Sequence, residues 1–383
     1  MTEVEVVIAG IGQVPVGEHW DVTLRGLAAR AVHAARGEAP GLTPQAMYIG
    51  NFLASTASQQ SNIGALLAQH LSLEGIEGTT VEAADASGAA AFHLGYIAVA
   101  SGLVDTALVV GVEKYTDVIG PRSDALVSQM NDYDYETISG MTPAAQAGLI
   151  MRRYIYEYGV PRSAFGVFPM MAHAYAEGNP NAMYQKAIRR ETYENAALIS
   201  DPINMMDMAP YADGAAAILL TRSDNLPADY PLPMVRVTGS SVATDRLSLH
   251  DRENILDFDA AGISVKRACS QAGILPEDVD IFELWDGYSI YAALSLEAAC
   301  LAPRGEGWRL SEDGGRPAIL TMGGQKARGN PLAAAGVYQL VEAVQQLRGQ
   351  AGKNQVAGAR RALVQALGGA AATAVTHVLE RWE

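Results

Sequence analysis

The chain has few cysteines, little positive charge and no long hydrophobic run. Only Cys269 and Cys300 occur among its 383 residues, which supplies neither a disulfide framework nor a cysteine-based metal cluster. No apolar stretch approaches the roughly 18 residues of a membrane-spanning helix, and no leader or signal peptide is recognisable. These absences predict a soluble cytoplasmic protein that needs no metal.

The charge balance excludes further classes of function. The chain has 27 Lys and Arg against 42 Asp and Glu, a formal net charge of -15. Phosphate backbones and anionic lipids would be repelled, so no nucleic-acid or membrane-surface role is expected. Charged residues make up 18% of the chain and hydrophobic residues 49%. Because a typical protein is about 25% charged, we expect a partner to cover part of the surface.

The segment Thr79 to Lys114 is the most informative one. It predicts a short buried strand from Val81 to Ala84, then a sharp turn, then a helix with Ser87 as a plausible N-cap. A second strand follows from Thr106 to Val112, so the unit is typical of a parallel sheet. Asp85 would lie at the helix entrance, where a reactive side chain is well displayed.

The chain divides into two halves, 1–230 and 231–383, and in each half predicted strands alternate with predicted helices. The strands are predicted at Val4–Ile11, Ala46–Phe52, Ala215–Leu220, Met234–Gly239, Asp280–Leu284, Ala318–Met322, Arg361–Leu367 and Ala371–Leu379. The helices are predicted at Val22–Ala35, Ser61–Leu71, Ile255–Ala272, Tyr288–Ala299 and Leu332–Leu347. Such a pattern predicts an α/β fold in which two turns face a shared crevice, the usual ligand site of open sheets.

An insertion lies in the first half, from about 117 to 210. It is rich in Met, Tyr and Arg and contains its own predicted helix, Ala144–Tyr158. An insertion of this length with its own secondary structure is more typical of a lid or substrate-binding domain than of a linker.

Two motifs resemble the thiolase family, especially the sterol carrier protein type. The sequence EAADASG at 82–88 resembles the EAACASG elbow that carries the thiolase nucleophile, and DMAPYADGAAAILLT at 207–221 resembles the CPxSDGAAAxxL segment. The resemblance covers essentially the whole chain. It implies two pseudo-repeated βαβαβαββ halves in five αβαβα layers, an inserted loop domain, a homodimer, and a coenzyme A thioester as substrate.

The chain departs from the family at the positions that carry thiolase chemistry. Asp85 replaces the acylated cysteine and Asn330 replaces the histidine of the GHP motif. Trp285 stands where NEAF or HDCF motifs begin, and Gly287 stands at the second cysteine of the HDCF form. Ala366 replaces the thiol of the C-terminal CxGGG motif, so an acyl-cysteine intermediate is not expected.

Three side chains are the candidate catalytic residues: Asp85, Tyr288 and Asn330. The helix entrance would keep Asp85 anionic, whereas burial in a dry pocket would raise its pKa toward that of a general base. The alternative is a carboxylate that only holds the turn. Tyr288 could donate to a carbonyl oxygen or shuttle a proton, or simply pack in the core. Asn330 could donate to an oxyanion but cannot accept a proton, or it could cap an Asn-Pro turn.

Further residues are candidates for binding. The turn glycines Gly329, Gly368 and Gly369 could bring main-chain amides near a ligand, although their spacing is not that of a phosphate loop. Substrate binding is assigned to Trp285, Lys326 and Arg328. For the two basic residues, and for Arg152 and Arg153 of the insertion, the expected ligand is the phosphates of coenzyme A. A solvated surface charge is the alternative.

The leading functional hypothesis is carbon-carbon bond chemistry on an acyl-CoA thioester, of the retro-aldol type, without a covalent cysteine. The resemblance also implies that an OB-fold, zinc-ribbon-bearing partner could handle the coenzyme A. Two alternatives stay open. One is a non-catalytic subunit for assembly or acyl-CoA channelling, and the other is an acyltransferase, similar to acetyl-CoA acetyltransferase, that uses Asp85 as its nucleophile.

Overall fold

The computed structural model describes residues 5–309 and 317–382. The first half, without its insertion, contains β1 (Val6–Gln13), α1 (Leu24–Glu38), β2 (Ala46–Gly50), α2 (Ala54–Ala57), α3 (Ile63–His70), β3 (Glu77–Val81), α4 (Ser87–Ala100) and β4 (Thr106–Glu113). The insertion contains α5 (Pro121–Val127), α6 (Pro143–Tyr158), α7 (Val167–Ala176), α8 (Arg190–Glu194), β5 (Leu198–Ser200) and β6 (Ile203–Asn204).

The first half ends with one more strand, and the second half follows directly. These elements are β7 (Gly214–Arg222), β8 (Met234–Thr244), α9 (Asp259–Ala272), β9 (Ile281–Glu283), α10 (Ser289–Ala298), β10 (Ala318–Ile319), α11 (Gly324–Arg328), α12 (Ala335–Arg348), β11 (Arg361–Gly368) and β12 (Thr373–Trp382).

The two halves have the same sheet topology. The strand order is β3-β2-β4-β7-β1 in the first half and β10-β9-β11-β12-β8 in the second. In each half the first two strand pairings in this order are parallel and the last two are antiparallel, so only the fourth strand runs in the opposite direction. The pseudo-repeat is therefore confirmed strand by strand. The halves are joined into one ten-stranded sheet by the pairing of Val7 with Arg236.

Five layers follow from the helix contacts. Helices α1 and α3 cover one face of the first half, and α9 and α10 cover the outer face of the second. Helices α4 and α12 contact strands of both halves and form the central layer. The backbones in this layer approach each other closely. A Cβ on Gly88 would lie only 2.5 Å from the carbonyl oxygen of Ala333, and a Cβ on Gly336 only 2.8 Å from Ala89, so this approach requires glycine at both positions.

Several predicted boundaries shift, and one strand is misplaced. The predicted strand Val81–Ala84 is wrong, since β3 ends at Val81 and is an exposed edge strand rather than a buried one. The residues directly before the predicted turn glycine Gly329 form the buried helix α11. The helix predicted from Leu332 begins as a 3-10 turn and becomes α-helical at Ala335. Val4, the predicted start of the first strand, lies outside the described residues.

Candidate active site

The turn before α4 is held by its own residues. Ala84 has φ +51°, a left-handed conformation that costs a non-glycine residue about 1–3 kcal/mol. The Ser87 hydroxyl accepts a hydrogen bond from the Ala83 amide at 2.8 Å and donates to the Ala84 carbonyl at 2.5 Å. The N-cap prediction for Ser87 is wrong, because this hydroxyl bonds the turn rather than an amide inside the helix. It locks the elbow, residues 82–88, that presents Asp85.

Asp85 is 1% exposed, and neither carboxylate oxygen has a hydrogen-bond partner among the described residues. Burial raises its pKa from 3.8 to about 7, and the residue's own main-chain amide lowers it by a smaller amount. Of the two opposing effects expected at the helix entrance, desolvation is the larger. The carboxyl group therefore changes its charge near neutral pH.

A narrow cavity contains this carboxyl group. Its volume is about 10 Å³, close to the minimum that holds one water molecule. Both halves and the insertion contribute to the wall. The lining residues are Asp85, Val127, Met130, Pro143, Gln146, Met208, Ala209, Tyr211, Trp285, Gly287, Tyr288, Tyr291, Asn330, Leu332 and Gly369. We call this space the catalytic cavity.

A crossing segment, residues 208–212, fixes the two turns of the second half beside each other. The Ala209 amide donates to the Gly287 carbonyl at 2.9 Å, and the Asn330 amide donates to the Pro210 carbonyl at 3.0 Å. Met208 also pairs with Tyr288 as an isolated β-bridge. Tyr288 and Asn330 are therefore held against one strand-like segment, on the wall opposite the elbow's own chain.

Three tyrosines of the cavity remain protonated at physiological pH. Burial raises the pKa of Tyr211, Tyr288 and Tyr291 above the ordinary value of 10.0, and the nearby Asp85 carboxylate raises each further. A phenol of this kind donates a hydrogen bond and does not act as a base at neutral pH. Asp85 is thus the group among them whose charge changes near neutral pH.

Trp285 packs with the same aromatic group. Its ring stacks on Tyr291 with centroids 5.9 Å apart. A Cβ on Gly287 would lie 2.0 Å from Trp285 Cη2, so the absence of a side chain at 287 is what admits the indole. The buried Nε1 has no acceptor among the described residues. This N–H is a donor that the folded chain leaves unused.

Asn330 has one end of its amide engaged. Its Oδ1 accepts a hydrogen bond from the Leu332 amide at 3.1 Å. The turn-capping interpretation of this residue is therefore confirmed, and the NH2 group is the part that can still donate to a ligand.

Four predicted site residues lie outside the catalytic cavity. Arg328 is fully buried and its Nη1 pairs with a carboxylate oxygen of Glu342 at 2.8 Å, so the expected contact with coenzyme A phosphates is wrong for it. Lys326 is buried beside a different cavity. Gly329 packs on Val16, and Gly368 packs on the Ala83 carbonyl. Each has a packing partner that sequence spacing alone does not reveal.

The remaining basic and sulfur groups are also elsewhere. Arg152 pairs with Asp201 and Arg153 pairs with Glu157 on the exposed face of the insertion. Cys269 is buried and Cys300 is exposed, and neither lines the catalytic cavity. Among residues 5–309 and 317–382, no histidine, cysteine and carboxylate group of three or more could hold a metal ion.

The sequence reasoning missed several cavity residues. Tyr211 lies in the DMAPYADG motif, and Tyr291 lies in the predicted helix Tyr288–Ala299, three residues after Tyr288. Their position next to the predicted residues was the available signal. Val127, Met130 and Gln146 come from the insertion, where no motif indicates which residues turn inward.

Comparison with known proteins places this geometry in a family. Residues 6–224 match the family model described as "Thiolase, N-terminal domain", and residues 241–381 match the one described as "Thiolase C-terminal domain-like". The chain belongs to the thiolase family. Among the described residues no helix is long and apolar enough to cross a membrane.

Individual relatives extend this result. The chain is 36% identical to an acetyl-CoA acetyltransferase of Methanothermobacter thermautotrophicus, over 98% of this chain and 100% of the relative. It is 29% identical to sterol carrier protein 2 of Bos taurus, over 80% of this chain and 59% of that one. A solved structure described as an Ltp2-ChsH2(DUF35) aldolase has a TM-score of 0.84 at 24% identity, covering 98% of both chains, a likeness of fold.

Proposed function

We propose that this protein cleaves a carbon-carbon bond of a 3-hydroxyacyl-CoA thioester by a retro-aldol reaction, with Asp85 as the general base. The observation that supports this most is the buried, unpartnered Asp85 carboxyl group with a pKa of about 7. A base of that pKa at neutral pH is well matched to proton abstraction, an effect typically worth about 10²–10⁴-fold in rate.

The reaction needs no covalent intermediate on the protein. Asp85 removes the proton of the substrate's 3-hydroxyl group, and the resulting alkoxide collapses to a ketone or aldehyde as the C2–C3 bond breaks. The electron pair of that bond becomes the enolate of the thioester. Protonation of C2, by Asp85 in its acid form, gives the shortened acyl-CoA and restores the carboxylate.

Three neutral donors line the cavity in which the enolate oxygen would form. They are the Tyr288 phenol, the Asn330 NH2 group and the Trp285 Nε1–H. Donors already in place in a dry site stabilise developing negative charge at little reorganisation cost. Main-chain amides near Gly369 add to this set as the part of the predicted glycine turn that reaches the cavity.

Product release from a 3-hydroxyacyl-CoA tests the proposal. Purified protein is incubated with 3-hydroxyacyl-CoA esters of different chain lengths, with and without a DUF35 protein of the kind named in the aldolase structure. We expect release of a ketone or aldehyde together with a shortened acyl-CoA, lost in Asp85→Asn. Absence of both products under all conditions contradicts the proposal.

Assembly is part of the same proposal. Strand β3 ends the ten-stranded sheet, and Glu77 to Thr80 are exposed along it. A free edge strand of this kind is ready to pair with another chain, which supports a homodimer. Light scattering combined with a Thr79→Pro variant distinguishes pairing at this edge from other modes. The DUF35 partner remains a second binding protein to test, since the structure described as Ltp2-ChsH2(DUF35) aldolase contains one.

An acyltransferase is the second candidate, and it is favoured by similarity to two acetyl-CoA acetyltransferases, the 36% identical one of Methanothermobacter thermautotrophicus and a 32% identical one of Methanocaldococcus jannaschii. The Asp85 carboxylate would then attack the thioester carbonyl and form a mixed anhydride, as the C–S bond breaks and coenzyme A leaves as a thiolate that takes up a proton. Hydroxylamine trapping followed by mass spectrometry would detect a modified Asp85 peptide. If neither product release nor trapping occurs and Asp85→Asn leaves the activity of the assembled complex intact, the protein is a non-catalytic subunit.

A further inference from the structure

A second cavity of about 510 Å³ lies against the catalytic cavity. The two spaces share the wall formed by Met208 and Ala209. The rest of this second cavity comes from the insertion and from α11, and its lining is His173, Tyr184, Ile188, Ile199, Met205, Met206, Pro210 and Lys326. Its volume is that of a typical small-molecule pocket, about 300–1,000 Å³, whereas the catalytic cavity is too small for an acyl chain.

The lining is mainly hydrophobic and partly open to solvent. Met205 is 51% exposed and Ile199 is 48% exposed, although both are large apolar side chains. Methionine is flexible and adapts to ligands of irregular shape. Apolar surface of this kind inside a concave space is typical of a ligand site rather than of ordinary protein surface.

Lys326 gives this cavity one charged group. Its Nζ donates to the carbonyl oxygens of Met205 at 2.9 Å and Met208 at 2.6 Å, which uses two of its three N–H bonds. No described Asp or Glu forms an ion pair with it. The carboxylates that influence it are engaged elsewhere, since Asp207 accepts from the Tyr193 hydroxyl and Asp286 accepts from main-chain amides.

We propose that the second cavity binds an apolar carboxylate, a molecule with a hydrocarbon body and one ionised acid group that pairs with Lys326. The hydrocarbon part occupies the methionine- and isoleucine-lined space. The acid group takes the third N–H of the buried ammonium and forms the direct ion pair that no described Asp or Glu makes with Lys326.

The charges around Lys326 give this binding a defined pH dependence. Burial lowers the pKa of Lys326 to about 8, and Asp207 and Asp286 partly offset that. Burial also lowers the pKa of His173, which therefore contributes no positive charge at neutral pH. An anion binds the charged amine, so affinity should fall as pH rises from 7 to 9, by at most about tenfold per unit.

Isothermal titration calorimetry with decanoate tests the proposal. We expect one site per chain, much weaker binding of decanol, and at least tenfold weaker decanoate binding to Lys326→Met. Ile199→Trp should block the site by filling it, whereas Ile263→Trp, in a separate surface groove of about 420 Å³, should not. Asp85→Asn should bind decanoate normally, so this outcome is independent of catalysis.

Several results would overturn the assignment. Equal affinity for decanoate and decanol removes the role of the charge. Unchanged binding in Ile199→Trp places the ligand elsewhere, and competition by coenzyme A without an acyl chain assigns the cavity to the coenzyme itself. If Lys326→Met fails to fold, the decanoate-to-decanol ratio and Ile199→Trp still decide the question.

Discussion

Buried carboxylates lie in two regions of the molecule, the catalytic cavity and the surroundings of Arg328. Asp85 is alone in the catalytic cavity, whereas Glu283, Asp286 and Glu342 surround Arg328 near α11. Burial raises the pKa of all four, to about 7 for Asp85, about 7 for Glu283, about 6 for Asp286 and about 8 for Glu342. By pKa alone these groups are alike.

Their hydrogen bonds separate them. Glu342 pairs with Arg328, Glu283 accepts from the Thr321 amide, and Asp286 accepts from the amides that begin α11. Asp85 has no such partner. A buried polar group without a partner costs stability, and its retention points to a use outside folding. The hydrogen bonds, rather than the pKa shifts, therefore separate the three structural carboxylates from Asp85, the candidate base.

The largest effect is expected at Asp85. Asp85→Asn keeps the shape of the side chain and removes the base, so steady-state turnover of a 3-hydroxyacyl-CoA should fall about 10²–10⁴-fold. Thermal unfolding should show a melting temperature that is unchanged or higher, because no native hydrogen bond is lost. A large drop in the melting temperature would show that Asp85 has a structural role like that of Glu283, Asp286 and Glu342.

Removing the ion-pair partner of a buried carboxylate should, in contrast, destabilise the protein. Arg328→Met leaves Glu342 buried and unpaired, which should lower the free energy of unfolding by about 3–5 kcal/mol in urea titrations. The double variant Arg328→Met/Glu342→Met is the matched control, and it should recover most of this loss. Equal instability of the single and double variants would show that packing, not charge pairing, is responsible.

A smaller effect is expected from Gly287→Ala. The new Cβ would overlap the Trp285 indole, and overpacking of this kind costs about 1–3 kcal/mol. Because the indole moves, intrinsic fluorescence should change together with KM for the thioester. A variant that binds and folds like the parent would mean that Trp285 does not define the cavity wall.

The pH dependence should be the mildest of these effects. Turnover needs the Asp85 carboxylate, so the rate should rise up to about tenfold per pH unit until pH 7 and then level off. The free energy of unfolding changes with pH in the opposite direction to the rate. The folded-state pKa of Asp85 is raised, so its contribution is present below pH 3.8 and is lost as pH rises through 7. Denaturant titrations from pH 4 to 8 should show a flatter stability profile in Asp85→Asn.

Much of the fold could be predicted from local pattern and resemblance. Gly273 ends α9 in the left-handed conformation, φ +67°, that its position after a helical pattern indicates. The elbow at Asp85 was predicted because small residues follow it directly. In contrast, Arg328 was taken for a ligand contact, since its partner Glu342 lies on another helix and no sequence spacing reveals a buried ion pair.

The candidate site could also be predicted only in part. Asp85, Tyr288, Asn330, Trp285 and Gly369 line one cavity, and their roles there stay a prediction. Lys326 does not, because its direction depends on the carbonyls of Met205 and Met208, contacts more than a hundred residues away. Long-range packing of this kind decides which of several nearby polar residues faces a ligand.

The small volume of the catalytic cavity has a kinetic consequence. A thioester cannot enter a space of about 10 Å³ without displacing wall residues such as Met208 or Met130. Association that waits for such an opening is slower than a diffusional encounter with a preformed pocket. Tight inhibitors of this protein should therefore show slow onset and long residence times, and a partner that holds the wall open would accelerate both entry and exit.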